Sequence, residues 1–347
     1  MGNNLVGMNN TVLDFSENDL KTTAEKVLEM HPDPVPRFRL LRDVLRLDPT
    51  DPVYQDAKTN LLESKWIMQL TRSQQTDGTW GRFHTQDSSV NQPFPTTESA
   101  ITIALDLGVD RHDPLFQKVL PVILNYLDGK TSWRDRPEKH DNPLAWFVWV
   151  KHFSAAVLAL IDKHHPRLDA YWDVWSEVLK VAFHSGEYDR QREIDALNSL
   201  LECRMKNPVP FHKKYPLLIL SATGKQLSGD LERVMLDFVM NAPFGIYYVY
   251  GKDLSVLPPI LSRDFWNWCR AHQLLSRFRL WQEFSTEAVN WIWAQRTAQG
   301  FWDLGSKISR KPFSSFPLSE SWRRPENRII DSTVEMLGLL SKRFKRC

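Results

Sequence analysis

The chain has 347 residues, with 44 Lys and Arg against 42 Asp and Glu, so it is near-neutral and long enough for one large domain or two ordinary ones. With no basic block, the charge argues against a nucleic-acid partner, and Lys342-Arg343-Phe344-Lys345-Arg346 is short enough to be a solvated tail. Three scattered cysteines, Cys203, Cys269 and Cys347, exclude a disulfide framework and fit a reducing, cytoplasmic setting.

Residues 1–16 read as a disordered N-terminus without a basic-then-apolar leader, and 17–347 as a single domain. Ser16 to Asp19 opens a helix over Leu20–Met30, which ends at His31-Pro32. Pro36–Leu47 carries a second, and Asp51-Pro52 opens a long one that runs to Arg72. After a polar loop, 84–95, Thr96-Thr97-Glu98 caps a helix stopped by Gly108. Asp113-Pro114 starts the next, up to Asp128, and a charged loop runs from Thr131 to Asn142. Pro143–Asp162 is apolar on nearly all sides, yet Lys151 and His152 interrupt it, so no transmembrane segment is expected. Further helices are expected at 168–184, 189–203, 215–222, 230–240, 264–279, 284–296 and 331–344, with irregular connections at 243–262 and 303–328. No alternating run of strand length appears, which predicts an all-α fold.

One turn organises this pattern. Trp66-Ile67-Met68-Gln69-Leu70 runs into Gln74-Gln75-Thr76-Asp77-Gly78 and closes on Trp80-Gly81. Asp77-Gly78 supplies left-handed backbone, Trp80 folds back as an apolar plate, and a Gln amide can satisfy nearby backbone groups. The device returns at Trp291 to Trp302, and weaker copies sit at Gly129 to Trp133, Gly186 to Tyr188 and Gly245 to Tyr247. Together they mark an internal repeat of about 55 residues, and six such units would need about 330 residues, close to the whole chain.

The two strong turns resemble the Gln–Trp motif of squalene–hopene and oxidosqualene cyclases and the Gly-rich turns of protein prenyltransferase β-subunits. More loosely, Gln74 to Gly81, Pro95-Thr96-Thr97-Glu98 and the spacing of Trp322, Arg328 and Asp331 are similar to a prenyltransferase/terpene-cyclase-like group of bacterial proteins. The resemblance spans residues 55–347 as a pattern and is sharp at 66–83 and 291–305. It implies an α/α toroid, in which helical hairpins surround a central lumen that holds an apolar, isoprenoid ligand. It also implies aromatic residues that steady a cation, for which Trp80, Trp302 and Tyr247 are candidates. Association with a membrane surface is compatible with such a ligand.

The chain departs from these families at their acids and metals. It has no Asp-x-Asp-Asp to protonate an alkene and no Asp-Asp-x-x-Asp for magnesium and diphosphate. Asp264, Cys269 and His272 do not keep the prenyltransferase zinc spacing, so neither a metal nor another cofactor is expected. The acids left are Glu98 and Asp331, each expected to head the helix after a strong turn. Facing an apolar lumen, either would have a raised pKa and could act as the general acid of a protonation-initiated cyclisation; capping a helix is the plainer role. Trp322, Arg323 and Arg328 could hold a diphosphate or carboxylate, and His212-Lys213-Lys214-Tyr215 is a second such cluster. A non-catalytic binding or scaffold toroid, a prenyl-transfer enzyme and a sugar-processing barrel with two opposed carboxylates are the alternatives.

Overall fold

The computed structural model describes residues 12–85, 94–136, 143–205, 208–222, 224–305 and 317–344. Among them lie fifteen α-helices and no strand beyond one bridge between Ile246 and Tyr250, so the chain is all-α. Parts of the expected N-terminus, polar loop, charged loop, late irregular stretch and basic tail, with Cys347, lie outside the described residues.

The first helices are α1 (Glu17–Glu29), α2 (Pro34–Arg39, continued by a π-turn, Leu40–Val44), α3 (Pro52–Leu62), α4 (Lys65–Ser73) and α5 (Thr97–Leu107). Then come α6 (Pro114–Leu127), α7 (Pro143–Ile161), α8 (Asp169–Ala182), α9 (Arg190–Leu200) and α10 (Lys214–Leu220). The last are α11 (Gly229–Asn241), α12 (Arg263–Leu275), α13 (Trp281–Phe284), α14 (Thr286–Ala294) and α15 (Pro325–Leu340). Prolines in the first turn and side-chain caps set many of the starts: Pro52 follows the cap Asp51, and Ser16 and Thr96 each close a capping box.

Three expectations are corrected. The long helix over 52–72 is two, because Ser64 leaves helical geometry with ψ at 153°. The last helix starts at Pro325, so Asp331 lies inside it rather than at its head. Of residues 12–16, within the stretch expected to be disordered, Phe15 is buried and stacks on Trp293 at 4.8 Å while Val12 is exposed.

Contacts follow two series. Helix α5 packs on α7, α7 on α10, α10 on α12, α12 on α15 and α15 on α2. Arg42, in the π-turn after α2, donates to the carbonyl of Gly108 at the end of α5 at 2.8 Å. The remaining helices flank this series, with α4 against α5, α6 against α7, α8 and α9 together beside α10, and α1 against α15. Helix α7 is long and apolar enough to cross a bilayer, but most of its surface is buried inside the protein. Lys151 and His152 do not break it: Lys151 lies over the Phe147 ring and His152 Nδ1 bonds the Val148 carbonyl.

Charged side chains join the C-terminal parts of the series. Arg39 pairs with the buried Glu335 of α15, and Arg270 of α12 pairs with Asp106 of α5 at 2.5 Å. Arg277 donates to Ser221 beyond α10 and to the Ala159 carbonyl of α7, each at 2.8 Å. Removing one partner of a pair as buried as Arg39–Glu335 would strand a charge, at a cost of about 3–5 kcal/mol.

Candidate functional site

The five repeat turns share one backbone device. Gly78, Gly129, Gly186, Gly245 and Gly300 all have positive φ, and each donates its N–H to the carbonyl three residues earlier. The strong turns share more. Gln75 N bonds Thr79 O at 2.8 Å, as Thr297 N bonds Phe301 O at 2.7 Å. The Trp80 indole donates to Leu70 O at 3.0 Å, and the Trp302 indole to Ile292 O at 2.8 Å. Both rings are fully buried, so Trp80 and Trp302 knit each turn to the helix before it. The Gln74 amide bonds the carbonyls of Gly78 and Leu115, a backbone-satisfying role.

The first turn delivers a polar cluster. Trp80 N donates to Thr97 Oγ1 at 3.0 Å, and the N–H groups of Thr97 and Glu98 donate back to the carbonyls of Arg82 and Phe83. This lays residues 81–85 against the start of α5. The Asp135 carboxylate then accepts the successive N–H groups of Phe83, His84 and Thr85 at 2.8, 2.7 and 2.6 Å, which fixes the backbone that carries His84.

His84 Nδ1 lies 2.9 Å from Glu98 Oε2, and Lys214 Nζ lies 2.8 Å from Glu98 Oε1. The Tyr215 hydroxyl donates to both carboxylate oxygens at 3.0 and 3.1 Å. Burial raises the pKa of Glu98, but the Lys214 ammonium and the His84 bond outweigh it and hold the carboxyl at about 2. The expected rise is therefore reversed, because the surroundings of Glu98 are cationic rather than apolar. A carboxylate facing Nδ1 calls for the tautomer with the proton there, which leaves the lone pair on Nε2. His84 Nε2 has no hydrogen-bond partner among the described residues. Rings surround the imidazole: Phe153 at 4.8 Å, Tyr215 at 5.9 Å, Trp146 at 6.3 Å and Tyr248 at 6.4 Å. A group so placed can take or give a proton.

The second acid is arranged differently. Asp331 is fully buried and accepts from the N–H groups of Leu318 and Ser319, the Ser319 hydroxyl at 2.6 Å and the Trp322 indole at 2.7 Å. Burial pushes its pKa up to about 6 against these neutral donors. The carboxyl acts as a clamp on residues 318–322, and its partners, Leu318, Ser319 and Trp322, are none of the Glu98 cluster. Arg328 is paired with Asp303 at 2.9 Å and Arg323 is exposed, so Trp322, Arg323 and Arg328 do not converge on one oxyanion position. Tyr247 is exposed and its ring lies 4.1 Å from that of Tyr248, tilted at 52°, beside the His84 rings.

His84 is the residue that sequence reasoning missed; its one signal was a histidine four positions past a turn that ends near the helix start bearing Glu98. Lys214 and Tyr215, expected in an oxyanion cluster, instead meet Glu98 across 116 and 117 residues of chain. Three other histidines, His152, His212 and His272, are buried with a ring nitrogen unpartnered among the described residues, and burial lowers their pKa to about 4, 4 and 3. They are neutral core residues. Asp264 pairs with Lys252 on the surface, apart from the buried Cys269 and His272, and no metal-binding group of three or more His, Cys, Asp or Glu gathers among the described residues. A cleft of about 660 Å³ between α8 and α11, floored by Trp172, Phe183 and Leu231, touches neither Glu98 nor Asp331. No family model, no curated protein and no solved structure matches the chain.

Proposed function

We propose that the chain is an α/α toroid whose inner helices are α2, α5, α7, α10, α12 and α15, and that it is an enzyme moving a proton on a small, largely apolar ligand at the N-terminal mouth of that ring. The order of helix contacts, closed by Arg42 at the end of α5, supports the ring. The observation that carries the activity is His84, held by Glu98 at Nδ1 and walled by aromatic rings, with Nε2 unpartnered among the described residues in a cluster whose other polar groups are engaged. Glu98 orients the imidazole through Nδ1, as a carboxylate does for a catalytic histidine, and Tyr215 is a second proton carrier in reach.

The isoprenoid ligand rests on the cyclase and prenyltransferase resemblance together with these aromatic walls. Alkene protonation by Glu98 does not fit, since a carboxyl held at about 2 is ionised at neutral pH. Asp331 keeps a higher pKa but is sealed under Leu318, Ser319 and Trp322. Proton transfer beside a carbonyl or an allylic position, with His84 as base, suits the site instead.

The test is incubation in deuterated water with a panel of polyprenyl acids, ketones, alcohols and diphosphates and squalene, read by mass spectrometry. The expected result is deuterium uptake or isomerisation that falls by about 10²–10⁴ in His84→Gln. Undiminished turnover in that variant would remove His84 from the mechanism. A second reading, a non-catalytic binding toroid, is favoured by the ion pairs Arg39–Glu335 and Arg270–Asp106, which span the interior between inner helices. Ligand binding without isotope exchange would select it.

A further inference from the structure

The hairpin at 245–250 stands beside the His84 site, and apart from the Tyr248 ring it takes no part in the proton-transfer cluster. Ile246 and Tyr250 exchange backbone hydrogen bonds at 2.7 and 2.8 Å, and the tip is Tyr247-Tyr248. Gly245 is confined there: a Cβ would come within 2.2 Å of the Tyr250 carbonyl oxygen. Tyr248 has φ of 68°, a left-handed conformation unfavourable for a ring-bearing residue, and it is 59% exposed. Glycine or asparagine would relieve that strain, and exposure rules out core filling as the reason for a tyrosine. The strained backbone aims the ring at the site: Tyr248 lies 6.4 Å from His84 at 85° and 6.1 Å from Tyr215.

The charges beside the tip are uneven. Lys214 is paired with Glu98, Arg190 with Glu193 at 2.5 Å, and Lys252 with Asp264. Lys213 has no carboxylate partner among the described residues; its ammonium sits over the Tyr247 ring at 4.7 Å. Burial, with the Arg190 charge, lowers its pKa from the ordinary value, so a half-buried cation is held without a counter-charge. An arriving anion would supply one.

We infer that the 245–250 hairpin tip and Lys213 form the head-group subsite of the His84 site: Lys213 takes the anionic head of the ligand, a carboxylate or a phosphate monoester, and Tyr248 clamps the adjoining apolar segment against His84. The inference rests on the apolar-ligand reading above and adds the ligand's charge and the two residues that recognise it. Both are binding residues; the proton transfer stays with His84.

The test uses three probes with one apolar body and different heads: farnesoic acid, farnesyl monophosphate and farnesol, titrated against the whole protein by calorimetry or fluorescence. The anionic probes are expected to bind at least about tenfold more tightly than farnesol, and Lys213→Gln to erase that margin while leaving farnesol affinity unchanged. Which anion binds more tightly separates carboxylate from phosphate. Tyr248→Gly is expected to weaken all three probes several-fold while raising or preserving the melting temperature, since glycine relaxes the left-handed tip. A merely structural tyrosine would lower the melting temperature and leave affinity alone, which overturns the clamp. Farnesol binding as tightly as the acids, or an unchanged margin in Lys213→Gln, overturns the subsite alone. Failure of all three probes to bind the unaltered protein overturns the apolar-ligand reading beneath it.

Discussion

The two strong turns start from nearly the same device and end in opposite chemistry. In each, a left-handed glycine is followed two residues later by a tryptophan whose indole bonds the preceding helix and whose backbone N–H bonds a threonine hydroxyl. That threonine is Thr97 in the first copy and Thr333 in the second. The residue after Thr97 is Glu98, at the start of a helix, with Lys214, Tyr215 and His84 around it. After Thr333 comes Val334, in the middle of a helix, and the nearby acid, Asp331, meets neutral donors alone. The turn is therefore a scaffold, and its function depends on what the helix start beside it presents.

The largest effect expected is common to both turns. Trp80→Ala and Trp302→Ala each remove a fully buried ring and a hydrogen bond to a helix carbonyl. Each should lose about 3–5 kcal/mol in urea unfolding. Near-equal losses support equivalent turns; a loss under about 1 kcal/mol at either one would break the equivalence.

The glycines should separate what the tryptophans share. Gly78 and Gly300 have φ of 86° and 85°, so an alanine is strained equally at both. A Cβ at Gly78 would lie 2.4 Å from the Lys118 carbonyl oxygen of α6, whereas one at Gly300 meets no described atom within 4 Å. Gly300→Ala should cost about 1 kcal/mol and Gly78→Ala roughly 3, because α6 must also shift. Equal costs in thermal unfolding would mean that α6 does not press on the first turn.

Local signals made the turns and the helix class legible, since glycine, proline and capping residues act within a few positions. Pro325 is an equally local signal for the start of α15, six residues before the acid at 331, which therefore sits in mid-helix rather than at a cap. The break at Ser64 has no glycine or proline to announce it. The charge state of Glu98 was out of reach for a different reason. It is set first by Lys214 and then by His84, and Lys214 is brought there by the packing of α7 between α5 and α10. Burial could be anticipated from Pro95-Thr96-Thr97-Glu98, but not the cation that reverses its effect. Residues 243–262 could be seen as an irregular connection carrying Tyr247; the positive φ that turns the Tyr248 ring toward the site could not.

The most direct contrast is between the two acids, since it reads their surroundings through pH. The folded pKa of Glu98, about 2, lies below its ordinary 4.5, so its contribution to stability is complete above about 4.5 and is lost as pH falls through 2. The folded pKa of Asp331, about 6, lies above its ordinary 3.8, so its contribution is complete below about 3.8 and is lost as pH rises through 6. Between pH 5 and 3 the protein should lose about 2 kcal/mol through Glu98, a slope that Glu98→Gln removes. Between pH 4 and 6 it should lose a similar amount, about 2 kcal/mol, through Asp331, and Asp331→Asn should flatten that limb instead. Urea titrations at half-unit pH steps on the two variants measure both slopes. If Glu98→Gln flattened the higher-pH limb, the cationic surroundings of Glu98 would be wrong, and with them the ionised partner that His84 needs. Opposite slopes would establish that the first turn faces a charged mouth and the second a sealed neutral clamp, which is the difference on which the placement of the proton-transfer site depends.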